Sequence, residues 1–445
     1  MKQKFRHNFL KKIRFLIPAF SLLNPVHASC NPRDTLELNV AVERVLQQYP
    51  TVNLALEALS AADAKIGLAR SGYLPNIDVS ASYTRIGPVP SFDFPDFGHI
   101  QLYPENNYAA NLNVQQTIYD FGKTSKRITV EKETKLISEE GVETVKQQLT
   151  RRVISLYYTI LYIQEAIRIK DQQIDDLEKH LSVIEKKLET GSATDYEVLS
   201  TRVKLIASQT QKTDLETALS IQSAGLNSLL GQPEQTILIP SPVIFMPVPQ
   251  EIQDSSIARA LKNRSEIKMA VAHEKLMETR IELAKAENNP VILAFVSAGE
   301  KNGYVPDIGR IRTNYSAGIG LKIPLYDAAR TRYSISLARS SLSGSRYEKD
   351  ILVKDITNEV VENYQKEIAS MRKLEQSDSQ VQQALRAFEL ANRSYDAGAI
   401  TNLDLLDAAT SLSESRLMQL KARIDMLIGY YGLRLAEGQK LFPAQ

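Results

Sequence analysis

The chain contains 445 residues, of which 43% are hydrophobic and 24% are charged, and its formal net charge is +2. These fractions are close to the globular average and exclude both a disordered tail and a polytopic helical membrane protein. One cysteine cannot form an intramolecular disulfide, and the five histidines occur without an HExxH motif. Because GxxxxGK(S/T) and GxGxxG motifs are also missing, we expect no enzyme, no cofactor and no metal site.

Residues 1–28 have the pattern of a secretory signal peptide. Six basic residues and no acidic one accompany the short apolar stretch FLIPAFSLL, and small residues precede a cut at Ser29. The alternative, a basic amphipathic helix, is disfavoured because Pro18 and Pro25 would break it. Removing this segment leaves 48 basic and 52 acidic residues, a net charge of about −4, which offers no basic surface for nucleic acid.

The residues around and beyond this cut bear on membrane attachment. Cys30 lies close to the cut, as in a lipoprotein, but His27 stands where a lipobox has leucine. Lipidation of Cys30 is therefore the weaker alternative and is left open. Downstream there is no run of about 18 apolar residues, so any membrane-spanning segment must be a β-strand.

Proline positions indicate where long helices can form. Residues 105–232 and 325–442 contain no proline, and proline is nearly excluded from helix interiors. Apolar residues in the first stretch recur in steps of three and four, which is typical of a coiled coil. A helix over about 123–189 would reach roughly 100 Å at about 1.5 Å per residue. On the helices alone, an ordinary coiled-coil scaffold is the favoured interpretation.

The chain is a tandem repeat. Residues 118–123 (IYDFGK) correspond to residues 325–330 (LYDAAR), 207 positions later, and two Gly-x-x-Thr turns follow the same offset. This duplication predicts a first repeat at 29–232, a proline-rich linker at 233–253 and a second repeat at 254–445. Each repeat is expected to contain a helix, a pair of strands and a long helical hairpin.

Between the helices the apolar residues alternate with polar ones, which predicts strands. The strands are predicted at about 76–87, 108–119, 291–300 and 314–324. Each has roughly the length that a tilted strand needs to cross an outer membrane. The apolar side chains predicted to face lipid are Ile77, Val79, Leu112, Val114, Ile319 and Leu321. The segments 88–107 and 300–313 are predicted to be loops, and alternation alone also fits soluble hairpins with one buried face.

Four strands cannot close a barrel, and a lipid-facing sheet cannot leave an open edge. A membrane barrel would therefore need several chains. Three chains would supply twelve strands, but physical reasoning alone does not select three.

The signal peptide, the two helix–hairpin–helix halves, the QxxYDFGK and PLYDAAR turns and the sequence SYDAGAITNLDLLDA together resemble the TolC-like outer-membrane efflux family. The resemblance extends from about residue 36 to residue 441. It implies an α+β, mostly α fold, in which a homotrimer forms a twelve-stranded β-barrel from four membrane strands per chain. A barrel of long coiled-coil hairpins would continue this channel through the periplasm.

The same resemblance implies functional residues at the hairpin tips, which are predicted near Gly191 and Gly398. Asp404 and Asp407 match the aspartates that surround the closed periplasmic mouth in the family. Because they are three positions apart they share one helix face, and a trimer would gather six carboxylates. The alternative for Asp404 is an ordinary acidic residue at a helix start.

A latch between neighbouring hairpins is also implied. Tyr395 matches the family tyrosine that latches the second hairpin, and Glu197 matches an acidic partner. Ile400 stands where the best-known member has a latch arginine, so the resemblance does not extend to that residue. Arg202 is a candidate substitute for that arginine.

The function implied is an outer-membrane exit duct of a tripartite efflux pump or a type I secretion system. Its partners would be outer-membrane lipid, a periplasmic adaptor protein and an inner-membrane transporter, which supplies the energy. The alternative is an exported coiled-coil scaffold or adhesin with soluble β-hairpins, which would need no detergent for extraction. The residues do not identify the exported substrate or decide between the two kinds of transporter.

Overall fold

A computed structural model describes residues 35–94, 98–241 and 252–442. The predicted signal peptide, Cys30 and much of the predicted linker lie outside these ranges. In chain order the elements are α1 (Leu38–Gln48), α2 (Pro50–Ser71), β1 (Asn76–Arg85), β2 (Ser91–Phe94), β3 (Gly98–Gln101), β4 (Asn106–Tyr119), α3 (Lys123–Glu189), α4 (Asp195–Leu230), α5 (Gln253–Asn263), α6 (Ser265–Ala286), β5 (Val291–Lys301), β6 (Arg312–Lys322), α7 (Arg330–Asp396) and α8 (Asn402–Ala436).

The same order of helices and long strands occurs twice. The long helices α3 and α7 each contain 67 residues, and the helices that return from them, α4 and α8, contain 36 and 35. Helix α3 begins at residue 123 and α7 at residue 330, a difference of 207 that equals the offset of the sequence motifs. Each half therefore presents a hairpin made of one very long and one half-length helix.

The helix before each sheet is divided in two, whereas the sequence predicts one. Tyr49 adopts an extended conformation and α2 begins at Pro50, since a residue before proline avoids the helical region and proline is tolerated at a helix start. In the second half Arg264 is extended in the same way without a proline. The local pattern therefore signals the first break and not the second.

The Tyr-Asp motifs form the turns from strand to long helix. The Asp120 carboxylate accepts hydrogen bonds from the backbone N–H of Gly122 (3.1 Å) and Thr124 (2.6 Å). Asp327 accepts one from Thr331 N–H at 2.8 Å. These carboxylates satisfy N–H groups that have no partner within the helix. The duplicated motif thus fixes the direction in which each hairpin leaves the sheet.

The four long strands form one antiparallel sheet in the order β1-β4-β5-β6. Its two central strands come from different halves, and Val114 of β4 lies opposite Val296 of β5. Strands β1 and β6 form the two edges. The sheet therefore joins the two halves of the chain at one end of the hairpins.

The sequence predicts a loop over the whole segment 88–107, but the structure shows that only part of this segment is a loop. It contains β2 and β3, an antiparallel pair in which Phe92 lies opposite Ile100. Each strand has only four residues, which is too short for alternation to be distinguished from chance. The prediction for this segment was therefore wrong in its middle part.

The main hydrophobic core lies where α1, α3, α4 and α8 meet. Tyr157 is buried there, and its hydroxyl donates to the Leu36 carbonyl (2.8 Å) and accepts from Ser241 N–H (2.9 Å). Burial raises the pKa of Tyr157 to about 12. Tyr158 stacks on Tyr431 of α8 with ring centroids 5.8 Å apart. This core joins the two hairpins midway along the molecule, above their tips.

In the part of the chain that the structure describes, none of the helices combines the length and apolar character required to cross a bilayer.

Candidate functional site

Both hairpins reverse direction at equivalent glycines. Gly191 has φ of 73° and Gly398 has φ of 71°, in the left-handed region that favours glycine. Ser192 N–H donates to the Lys187 carbonyl (2.7 Å), and Ala399 N–H donates to the Ser394 carbonyl (2.8 Å). These bonds satisfy the last carbonyls of α3 and α7, so both tips are short and defined.

The helix that follows each tip begins with a reciprocal capping box. Thr194 N–H donates to Glu197 Oε2 (2.7 Å), and Glu197 N–H donates to Thr194 Oγ1 (3.3 Å). Thr401 and Asp404 form the same pair of bonds at 2.9 and 3.3 Å. Glu197 and Asp404 thus occupy the same position in the two repeats, and each stabilises the start of its own helix.

The two aspartates predicted at the constriction lie on exposed surface of α8. Hydrogen bonds from the Thr401 hydroxyl and backbone N–H lower the pKa of Asp404. Asp407 Oδ1 lies 3.2 Å from Lys204 Nζ of α4. Asp404 therefore acts as an acidic residue at a helix start, as the alternative interpretation predicts. This capping role leaves one oxygen of the Asp404 carboxylate for other contacts. Lys204 was missed by the sequence reasoning, since no motif or repeat signal marks it.

Tyr395 lies at the end of α7 and is half-buried against the first hairpin. Its ring meets His180 edge-on, with centroids 5.5 Å apart, and Lys187 Nζ lies 4.5 Å from its centroid. Burial raises the pKa of the Tyr395 hydroxyl, and the nearby charges of Glu197 and Asp396 act in the same direction. Within one chain, Tyr395 therefore contacts α3 of the first hairpin through His180 and Lys187.

The ion pair that Arg202 forms does not involve Tyr395. Its guanidinium contacts Glu185 Oε1 of α3 at 2.9 Å, within the first hairpin. Ile400 is half-buried in the second tip. The substitution of Arg202 for a latch arginine stays a prediction, and this ion pair gives it no support.

A residue that the sequence reasoning missed connects the two tips. Asn402, the first residue of α8, is 1% exposed. Its side-chain amide donates to Thr201 Oγ1 (3.0 Å) and to the Glu197 carbonyl (3.3 Å). Its carbonyl oxygen lies 2.7 Å from His180 Nε2. The sequence position of Asn402 does not predict its contact with the first hairpin, because an asparagine at a helix start normally contacts solvent or its own helix.

Above Asn402, the seam between α8 and the first hairpin contains polar pairs as well as apolar side chains. Ser413 Oγ donates to Gln173 (2.8 Å), and Arg416 donates to Gln172 (3.2 Å). A small apolar cluster interrupts these contacts; its buried members are Leu177, Leu205 and Leu406. A cavity of about 310 Å³ between α3, α7 and α8 lies beside it. This seam is packed less completely than the core above it.

At the other end of the hairpins, the sheet has one apolar and one polar face. Residues directly opposite in antiparallel strands share a face, and the pairings Ile77 with Val114, Val79 with Leu112 and Ala294 with Ile319 place the predicted lipid-facing side chains together. Five of these side chains are exposed in the single chain, and Val114 is half-buried.

The opposite face carries a hydrogen-bonded polar network. Asn113 donates to Asp78 (2.9 Å) and Ser80 (3.0 Å), and Ser297 donates to Asn113 (2.8 Å). An apolar face that none of the described residues covers, backed by a polar face, is the pattern of a strand wall between lipid and water. Within the described ranges, no group of three or more His, Cys, Asp or Glu side chains is arranged to hold a metal ion.

Comparison with known proteins gives the family. The model of the outer membrane efflux protein family matches residues 41–232 and 256–439, which is most of the chain. The chain belongs to this family. The resemblance inferred from the sequence motifs is therefore confirmed, as are the mostly helical α+β fold and the outer-membrane location with the helices in the periplasm.

Named relatives of this efflux protein include a secretion protein and an outer membrane protein. It is 24% identical over 408 residues to the alkaline protease secretion protein AprF of Pseudomonas aeruginosa, covering 88% of this chain and 82% of AprF. It is 20% identical over 412 residues to the outer membrane protein TolC of Salmonella enteritidis, covering 89% and 82% of the two chains. These relatives support the predicted function as an outer-membrane efflux or secretion channel.

Solved structures share the fold. The outer-membrane channel OprN superposes with a TM-score of 0.77 at 17% identity, covering 91% of both chains. The outer membrane protein VceC of Vibrio cholerae gives a TM-score of 0.77 at 18% identity, covering 91% of this chain and 97% of VceC. At these identities the likeness concerns the fold alone.

Proposed function

We propose that this efflux protein is a passive homotrimeric exit duct, in which three sheets close a twelve-stranded barrel and the hairpins continue it through the periplasm. The observation that carries this proposal is the sheet itself. Its apolar face is exposed, and the described edge strands β1 and β6 are each paired on one side only. A lipid-facing sheet with open edges is not stable as a single chain, so identical neighbours are the simplest partners.

The helical region supports the same assembly. Large apolar side chains recur on the free side of α4 with the three-and-four spacing of a coiled-coil seam. These are Tyr196, Leu199, Val203 and Ile206, each more than half exposed in the single chain. A hairpin of a neighbouring chain would cover them. A soluble scaffold or adhesin, the alternative function, leaves both this stripe and the apolar sheet face in water.

The mouth of the duct would lie at the hairpin tips. Asp404 and Asp407 would line it, and the contact region of Tyr395 and Glu197 would hold the second hairpin in the closed position. With Ile400 in place of an arginine, this latch would rely on the packing of Tyr395 against His180 and Lys187. Opening would separate the tips along the seam between α8 and the first hairpin while the core around Tyr157 keeps the hairpins together.

The partners proposed are a periplasmic adaptor and an inner-membrane transporter. The transporter would supply the energy, since the sequence of the duct has no nucleotide-binding motif. The substrate would be whatever that transporter delivers, as a small molecule or as a secreted protein.

The assembly is tested by native mass measurement after extraction in mild detergent. We expect a particle of three chains, and the substitutions Leu199→Asp with Val203→Asp should dissociate it by placing charge in the seam. A wild-type protein that is folded and stable as a monomer, or that leaves the membrane without detergent, would contradict the proposal.

A further inference from the structure

Asn402 makes a contact that neither the capping boxes nor the latch explains. It belongs to the second hairpin, yet the three described partners of its side chain belong to the first: Thr201 and the Glu197 carbonyl of α4, and His180 of α3. One carboxamide therefore touches both helices of the opposing hairpin. It is also 1% exposed, although the residues on either side of it are exposed.

The partners define the direction of each bond. Because the amide nitrogen donates to Thr201 Oγ1 and to a backbone carbonyl, the Asn402 oxygen is the acceptor, and His180 Nε2 must carry the proton that it receives. Three of the four hydrogen bonds that this side chain can make are thereby used across the seam. All of these bonds break when the hairpins separate. A carboxamide that loses such partners without reaching water is destabilised.

The contact exists in one repeat only. Subtracting the repeat offset of 207 from 402 gives Asp195, which is exposed at the start of α4. Adding 207 to 201 and 180 gives Ala408 and Ala387, which have neither a hydroxyl nor an imidazole. The second hairpin therefore cannot offer the same bonds to the first residue of α4. The bond set is specific to the seam at which the second hairpin meets the first.

The contact of Asn402 lies at the lower end of the seam between the hairpins. Above it lie the polar pairs of Gln172 and Gln173, one small apolar cluster and the cavity of about 310 Å³, whereas the extensive core lies farther up. Apolar burial holds the hairpins together most extensively at the core, and near the tips it continues through the cluster of Leu177, Leu205 and Leu406. Among the tip contacts, the bonds of Asn402 are buried and directional, so they are sensitive to any separation of the two hairpins.

We propose that Asn402 is the clasp that holds the second hairpin closed against the first, with His180 and Thr201 as its principal partners. The proposal rests on the exit-duct function and adds a gating residue to it. It supplies a contact between the hairpins in a chain that has Ile400 where the resemblance leads one to expect an arginine. Separation of the tips requires all three bonds of Asn402 to break together.

The test is the open fraction of the purified protein in planar lipid bilayers. One hydrogen bond of ordinary net strength corresponds to about a tenfold change in an equilibrium, so Asn402→Ala should raise the open fraction at least about tenfold. Asn402→Asp keeps the shape but replaces the donor with an acceptor and should open the channel as well. The matched control is Asn227→Ala, because Asn227 is also a buried asparagine that donates to two carbonyls, far from the tips. It should leave the open fraction unchanged.

A reversible cross-link distinguishes an effect on gating from an effect on folding. Thr201→Cys with Asn402→Cys, on a Cys30→Ser background, places two thiols where the side chains now lie 3.0 Å apart. Oxidised protein should stay closed, and reduction should open it to the level of Asn402→Ala. Equal open fractions in Asn402→Ala and Asn227→Ala, or in the oxidised and reduced cross-link variant, would overturn the clasp while leaving the duct intact. A wild-type protein without channel activity would instead overturn the duct.

Discussion

At the scale of residues, Asp404 and Asp407 are held differently although they lie one helical turn apart. Asp404 closes a capping box with Thr401, whereas Asp407 faces the ammonium group of Lys204. The family motif predicted the aspartates, and the Thr-x-x-Asp spacing is a local signal for the cap. Lys204 and Asn402 could not be predicted, because their contacts join residues more than 200 positions apart and depend on how the hairpins pack.

The charge at the mouth can be changed in both directions. Asp404→Asn with Asp407→Asn removes negative charge at nearly constant shape, and we expect lower cation selectivity and loss of block by multivalent cations. Lys204→Gln removes the neighbouring positive charge and should raise cation selectivity. Reversal potentials in bilayers under a salt gradient measure both effects. Variants that conduct and block like the wild type would make these residues ordinary helix-start acids.

At the scale of elements, the strands were predictable because alternation is a direct consequence of sheet geometry. The predicted apolar positions share one face, and the polar face is linked through Asn113. Pairing of β4 with β5 could not be read from alternation, since it joins the two halves of the chain. The short strands β2 and β3 were missed because four residues carry too little periodic signal.

The lipid exposure of the sheet can be measured by cysteine labelling. On a Cys30→Ser background, cysteine at Val79 or Ile319 should react with lipid-soluble maleimides and poorly with water-soluble ones. Ser80→Cys is the matched control, because it is adjacent to Val79 and on the polar face, so it should react with water-soluble reagents. Equal labelling of both faces by both reagents would contradict a membrane wall.

At the scale of the whole molecule, the two repeats are joined by charges as well as by the core. Arg264, between α5 and α6, pairs with Glu266 and with Glu359 of α7, and Arg151 of α3 reaches Glu359 at 2.7 Å. Burial opposes ionisation of Glu359, but the hydrogen bonds and charges of the two arginines outweigh it, so its pKa lies below the ordinary value. The duplication predicted two similar halves, but it carried no information on which charges would connect them.

This network predicts a pH dependence of stability. A carboxyl group whose folded-state pKa is depressed stabilises the fold above its unfolded-state pKa, and this stability is lost as the pH falls through the folded-state value. Glu359→Gln should therefore lower the free energy of unfolding by roughly 1–3 kcal/mol at pH 7, and the difference from wild type should shrink below about pH 4. The control Glu362→Gln removes an exposed partner of Lys366 and should change stability by less than about 1 kcal/mol. Denaturant unfolding at several pH values measures both, and an equal effect of the two variants would contradict the role of the network.

The central claim is that three copies of this chain form a gated water-filled duct through the outer membrane. Conductance of the purified wild-type protein in planar lipid bilayers tests it most directly. We predict discrete current steps of a mostly closed channel that prefers cations, as expected for carboxylates around a narrow mouth. Folded protein that inserts into the bilayer and produces no current steps, or that only leaks without discrete levels, would contradict the claim.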